Sequence, residues 1–213
     1  MKTIKRVSTT LLAMAVLGTP LAAMAGKQGM GRQAAAVESS LDATEITDLE
    51  YMREEEKLAR DVYRTLYDLW GLPVFDNIAG SEQVHTTQVE DMMEKYGLTD
   101  PVVDDTTGVF VNQVLANLYQ ELITAGGMSS LKALYVGAAI EELDMIDLQH
   151  AIDATDNDDI RRLYENLMRG SRNHLRAYVG QIEDLGIVYE AQYLTQEEVD
   201  NIVDSPVERG RRH

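Results

Sequence analysis

Residues 78–90 read IAGSEQVHTTQVE and set Glu82 and His85 three positions apart, on one face of a helix. Stepping outward by threes and fours gives Phe75, Ile78, Glu82, His85, Val89, Met92 and Tyr96, an inward seam interrupted only by the Glu and the His. A lone carboxylate and imidazole buried in such a seam would cost several kcal/mol unless something pairs with both.

Chain punctuation places the neighbouring helices. A first helix is expected over residues 47–70, capped by Thr47 or Asp48 and stopped at Gly71-Leu72-Pro73; the second runs over 74–96, with Gly97 as its stop. A turn this short makes the two antiparallel neighbours. A long connection holds Pro101, the polar stretch 104–108 and a shorter helix over 112–125. It leads to a third long helix at 130–154, and DNDD at 156–159 turns the chain into a fourth at 160–185. Hairpin, long crossover, hairpin is the connectivity of an all-α, ferritin-like four-helix bundle. Thr195 and Glu198 have capping-box spacing and begin a small terminal helix. The expected organisation is a signal peptide at 1–25, a flexible linker at 26–43, the bundle at 44–186 and a C-terminal extension at 187–213.

The same stepping gives Leu49, Met52, Glu56, Ala59, Tyr63, Leu66 and Trp70 on the first helix, and Leu131, Leu134, Ala138, Glu141, Met145, Leu148 and Ile152 on the third. The fourth gives Ile160, Tyr164, Leu167, Ser171, His174, Tyr178, Gln181 and Leu185. Counted from the hairpin turns, Glu56, His85, Glu141 and His174 lie at heights that agree to about one helical turn. Three carboxylates and two imidazoles at one level of a core need a cation. A two-metal site, its ions about 3.5–4 Å apart, tolerates that spread. Carboxylates with imidazole favour Fe or Mn and accommodate Zn. Without metal, the carboxylates are expected to repel until at least one holds a proton, and His85 is expected to have only weak partners.

The chain as a whole narrows the function classes. Lys2, Lys5 and Arg6, the apolar run from Leu11 to Leu17 and Ala23-Met24-Ala25 have the pattern of a secretory signal peptide cleaved after Ala25, so an exported protein, periplasmic or secreted, is expected. No stretch has the apolar length of a membrane span. There is no cysteine, which excludes disulfides and thiolate metal sites. The 36 acidic residues face 19 basic ones, and loss of Lys2, Lys5 and Arg6 would leave 36 against 16, a formal −20. Such a surface is a poor partner for nucleic acid or anionic membrane. About 165 residues beyond leader and linker suffice for one substantial core.

Residues 56–63, EKLARDVY, resemble the E-x-x-A-R-x-x-Y of the first rubrerythrin helix, and residues 75–85, FDNIAGSEQVH, resemble the F-x-x-I-A-x-x-E-x-x-H of the second. More closely, residues 49–178, with GAAIEELDMIDL and YENLMRGSRNHLRAY, are similar to DUF2202, an uncharacterised family of the ferritin-like superfamily. The resemblance implies a di-metal centre on the third and fourth helices as well, with departures. Ala138 stands where the rubrerythrin third helix has the first Glu of G-E-x-x-E, and Ser171 stands where the fourth has the Glu of Glu-x-x-His. Asp144, one turn beyond Glu141, is a partial substitute; Glu142 is another if the helix is rotated.

Glu56, Glu82, His85, Glu141 and His174 are thus the expected metal ligands, with Asp144, Glu142 and Ser171 as further candidates. Glu54, Glu55, Glu90, Asp91 and Glu94 read as solvated, as do His150 and His213, and Arg172 and Arg176 as partners of surface acids. Two readings of function follow. In one, two iron ions, or one in a reduced site, act on dioxygen or peroxide as a ferroxidase or peroxidase-like oxidoreductase. In the other, the chain is a non-catalytic extracytoplasmic metal-binding or interaction module, which the lost carboxylates favour. Association into a homo-oligomer stays open on either reading.

Overall fold

The computed structural model describes residues 41–210, which form six helices and no strand. The expected signal peptide, nearly all of the expected linker and His213 lie outside the described residues. No helix among the described residues is long and apolar enough to cross a membrane.

Helix α1 spans Ala43–Trp70 and begins one turn earlier than expected, because Asp42 rather than Thr47 caps it. Asp42 Oδ1 accepts from the Thr44 and Glu45 amides, and Glu45 Oε2 accepts from the Asp42 amide, a capping box that reaches into the expected linker. Glu45 is buried because its other oxygen accepts from Thr155 Oγ1 and Asn157 Nδ2, both at 2.6 Å. That contact joins residues more than a hundred apart, so no local signal announces it. Gly71, at φ 64°, ends α1 in the left-handed region.

Helix α2 (Pro73–Lys95) opens on Pro73 and returns along α1; α3 (Gln113–Gly126) follows, capped by Asn112. Helices α4 (Ser130–Ala154) and α5 (Asp158–Glu183) form the second hairpin, and the short α6 (Gln196–Val203) carries the expected Thr195–Glu198 capping box. Helix α1 packs on α2 and α4, and α5 packs on α4 and α2, so the four long helices close a ring of pairwise contacts; α3 lies against α1 and α4.

The seams hold in the middle of the ring and drift at its ends. Gln181 and Leu185 are exposed while Ile182 is buried, and Met93 is buried more deeply than Met92. An ideal helix drifts about 20° per heptad from a 3.5-residue step, which moves the buried position by one residue over several turns.

Helix α1 is buried on every face from Met52 to Tyr63. The connection before α3 crosses its outer side and is tied down by charged groups. Lys57 Nζ donates to Asp61 Oδ2 (2.5 Å) and to the Thr106 and Val109 carbonyls (both 3.0 Å). Asp61 also accepts from the Gly108 amide and the Arg60 guanidinium, and Arg60 reaches Asp105. Glu54, expected at a solvated face, instead accepts from the Val111 and Asn112 amides at 2.6 and 3.0 Å. Buried charges persist only when matched in this way.

Glu142 performs the same task for the C-terminal segment. It is fully buried and accepts from Tyr189 Oη and from the amides of Gln192, Tyr193 and Leu194. Glu142→Ala should therefore cost about 2–3 kcal/mol in chemical denaturation and leave buried donors unmatched. Amide exchange should accelerate in residues 189–194 first.

Candidate metal centre

Glu82 sits between two histidines and offers one oxygen to each. Its Oε2 is 2.7 Å from His85 Nδ1, and its Oε1 is 2.7 Å from His174 Nδ1. Glu56 Oε2 lies 3.3 Å from His85 Nδ1, and Glu141 Oε2 lies 3.4 Å from His174 Nδ1. The imidazole centroids are 5.4 Å apart. The five expected ligand residues therefore converge from α1, α2, α4 and α5. They form two groups, Glu56–Glu82–His85 and Glu82–Glu141–His174, in each of which three donor atoms lie within 4.8 Å of one another. Glu82 belongs to both. All five residues are buried.

Helical spacing supplies the Glu82–His85 pair, since positions i and i+3 face the same way. Surrounding groups fix the rest. Tyr63 Oη donates to Glu141 Oε1 at 2.5 Å, and Ser81 Oγ lies 2.9 Å from His174 Nε2, leaving Nδ1 directed at the carboxylates. The rings of Tyr63, Phe75 and Tyr178, with centroids 5.4 to 6.3 Å apart, make an aromatic layer beside the centre. Gly170 on α5 leaves room for His85: a Cβ there would stand 2.5 Å from His85 Nε2. Gly170→Ala should displace that ring and weaken cation binding by about 10- to 100-fold, as loss of orienting partners does elsewhere. Isothermal titration with Mn(II) measures the loss, and an unchanged circular dichroism spectrum would separate it from misfolding.

The further candidates divide. Asp144 is buried beside the centre, with Oδ2 accepting from Ser171 Oγ and Oδ1 unpartnered. Ser171 is thus turned toward Asp144, not toward the histidines. Glu142 faces the C-terminal segment, which corrects its candidacy: Glu141 is the inward residue of α4, as the unrotated seam has it. His150 is exposed, and Arg172 and Arg176 pair with Glu208, as expected.

Glu55 is the residue that sequence reasoning missed. Expected to be solvated, it is buried, its carboxyl is pushed well up by burial and by the neighbouring Asp147 and Asp144, and its Oε2 has no hydrogen-bond partner. One signal was available: Glu141, Asp144 and Asp147 recur every three residues and put an acidic stripe on α4.

Without a cation the centre is held together by protons. Burial works against the Glu82 charge, yet His174 and His85 outweigh it and hold Glu82 well below the carboxylate range. Burial likewise opposes the imidazolium of His174, but Glu82 and Glu141 push it up to about 10. Glu82 and Glu56 raise His85 well above its usual value against the same penalty. Burial pushes Glu56 up to about 8, and burial also raises Glu141 and Asp144, the latter further pressed by Glu56 and Glu141. The expectation of weak partners for His85 is thereby corrected: Glu82 is its counter-ion. The donor set fits a cation, because Glu56 Oε1 is a buried acceptor without a donor, and His174 Nδ1 lies close to Glu82 without the alignment of a hydrogen bond.

Residues 45–206, which contain every residue of this centre, match the family model described as "Uncharacterized protein domain (DUF2202)". The chain is 52% identical over 159 residues to "Uncharacterized protein MJ0754" of Methanocaldococcus jannaschii, covering 75% of this chain and 86% of that protein. It is also similar to the crystal structure of the hypothetical protein MJ0754 from Methanococcus jannaschii, with TM-score 0.77 and 46% identity over 85% of this chain and all of that one.

Proposed function

The chain belongs to the DUF2202 family, and from the centre it carries we propose a ferritin-like protein that binds two divalent cations, iron foremost, and uses them on dioxygen or peroxide. The observation that carries this reading is Glu82, one carboxylate shared by two groups of three converging donors. Glu56 and His85 would hold one ion, Glu141 and His174 the other, with Glu82 common to both. Oxygen and nitrogen donors suit Fe(II) and Mn(II), and accommodate Zn(II). When bound, two ferrous ions supply one electron each to the oxidant.

The chain's own residues do the rest. Ser81 and Tyr63 orient His174 and Glu141. Burial excludes bulk water, and the protons on His85 Nδ1, His174 Nδ1 and the outer carboxyls leave as cations arrive. Two motif resemblances support the ferritin-like assignment, EKLARDVY at 56–63 and FDNIAGSEQVH at 75–85, together with the long crossover between α2 and α4. Anaerobic loading followed by elemental analysis should find two ions per chain, and admitting dioxygen to the ferrous protein should produce a new absorption band. Two ions bound without spectral change would favour the non-catalytic module, a reading supported by Ala138 and by Ser171, which is committed to Asp144. No ion bound would sink every metal-binding reading and leave only an interaction module.

Export belongs to the same proposal, supported by the charged and apolar pattern of residues 1–25. Mass spectrometry of the protein from its native host should place the mature N-terminus at Gly26. An intact Met1 would overturn it.

A further inference from the structure

The five residues of the centre are 2 to 8% exposed, and a cation reaching them must exchange water for protein oxygens on the way in. On the α2–α5 side the groups nearest to solvent are the edges of His85 and His174, with Gly170 and Ser81 around them; none offers a negative charge. Between α1 and α4 the lining is different. Asp147 is half-buried, one turn before the exposed His150 on α4. Glu55 lies on α1 next to Glu56, and Asp144 and Asp147 lie one turn apart on α4, which packs on α1. Exposure falls from the half-buried Asp147 through Glu55 at 8% and Asp144 at 6% to Glu56, Glu82 and Glu141 at 2% each. The acids thus form an ordered series from surface to core.

That series is more than a cluster of acids. Glu55 Oε2 and Asp144 Oδ1 are buried acceptors with no hydrogen-bond donor, on side chains 8% and 6% exposed. A buried acceptor left without a donor is costly, and these two stand on α1 and α4, which pack against each other. The five ligand residues already account for the centre, and Asp144 and Glu55 are outside both of its three-donor groups. Their unpartnered oxygens suit a hard cation in transit, which prefers carboxylate oxygen in exchange for its water. We propose that Asp147, Glu55 and Asp144 are the route by which a divalent cation passes from the surface between α1 and α4 to the buried centre.

The inference rests on the two-cation reading and adds a direction of loading to it. The test uses the metal-free full chain under argon, mixed rapidly with Co(II), whose visible absorption reports coordination. Asp147→Asn should slow loading about tenfold or more, the scale on which a local acidic lining accelerates capture, while two ions still bind at equilibrium. Glu55→Gln, deeper in the passage, should slow it at least as much. Asp91→Asn, the same charge change at an exposed position on α2, should load at the wild-type rate. Loading of Asp147→Asn at the wild-type rate, or slowing shared equally with Asp91→Asn, would overturn the route and leave the centre standing. Loss of equilibrium binding in Asp147→Asn would overturn it in another way, by making Asp147 a ligand. Failure of the wild-type chain to take up Co(II) at all would remove the two-cation reading and the route with it.

Discussion

Glu82→Gln is expected to abolish binding of both cations, whereas Glu56→Gln should remove one. The difference follows from how the oxygens are shared. Each oxygen of Glu82 contacts one imidazole Nδ1 at 2.7 Å, and no other carboxylate reaches both. An amide keeps one acceptor and turns an NH₂ toward the other histidine, so at least a hundredfold loss of affinity, on the order expected for a lost ligand, should appear at both positions. The metal-free proteins should diverge as well. Glu82 is the counter-ion of two buried imidazoliums, and removing one partner of a buried pair costs about 3–5 kcal/mol, reduced here because the imidazoles can shed their protons. Glu56 is raised to about 8 by burial and so is already largely neutral at pH 7; its amide should cost little or stabilise. Sequence reasoning, which counts three acids crowding one level, leads to the opposite expectation for Glu82. Thermal melts in chelator and elemental analysis of both variants decide between them. Equal stoichiometry in the two would show that Glu82 is not shared.

That reversal marks where sequence reading stops. The four long helices, their order and the five converging residues follow from apolar stepping, because each seam has a polar interruption near its middle and core burial of such a residue demands partners. The phase of α4 also follows: Glu141 faces the centre, and Glu142 faces away from it, buried under the C-terminal segment. The pairings do not follow, since they join residues far apart in sequence. Glu54 and Glu55 look solvated on α1 because the seam steps from Met52 to Glu56 and passes them by. The structure buries both, one against the amides of Val111 and Asn112 and the other toward Asp147. The start of α1 is hidden for the same reason, as Glu45 is held by Thr155 and Asn157. Gly170 carries no signal beyond its smallness, and only the seated His85 ring explains it.

The metal-free protein should lose stability as pH rises from about 5 to 10, and bound cations should remove that loss. Glu56 has an ordinary value of 4.5 and a folded value of about 8, so above 4.5 the unfolded chain ionises first and folding becomes less favourable until pH passes about 8. His174 has an ordinary value of 6.5 and a folded value of about 10; its contribution is complete below 6.5 and lost as pH rises toward 10. His85, raised well above its ordinary value by Glu82 and Glu56 despite burial, acts in the same direction. Glu82, held low, limits the window on the acid side, since its contribution is present above the ordinary value of 4.5 and is lost as pH falls further. Maximum stability of the metal-free centre therefore belongs between about pH 4.5 and 6.5. Cations compete with these protons for the same atoms. At pH 7 His85, His174 and Glu56 are all protonated, so loading should release about three protons and affinity should rise up to about a thousandfold per pH unit. At a hundredfold excess over Kd, bound metal adds about 2.7 kcal/mol to stability. Melts across pH with and without Mn(II) test the stability change, and an indicator dye in weak buffer counts the protons released. Carboxylates on the acidic surface are already ionised at pH 7 and would release none, so cation binding without acidification of the solution would place the ions on the surface and leave the buried groups as a hydrogen-bonded core.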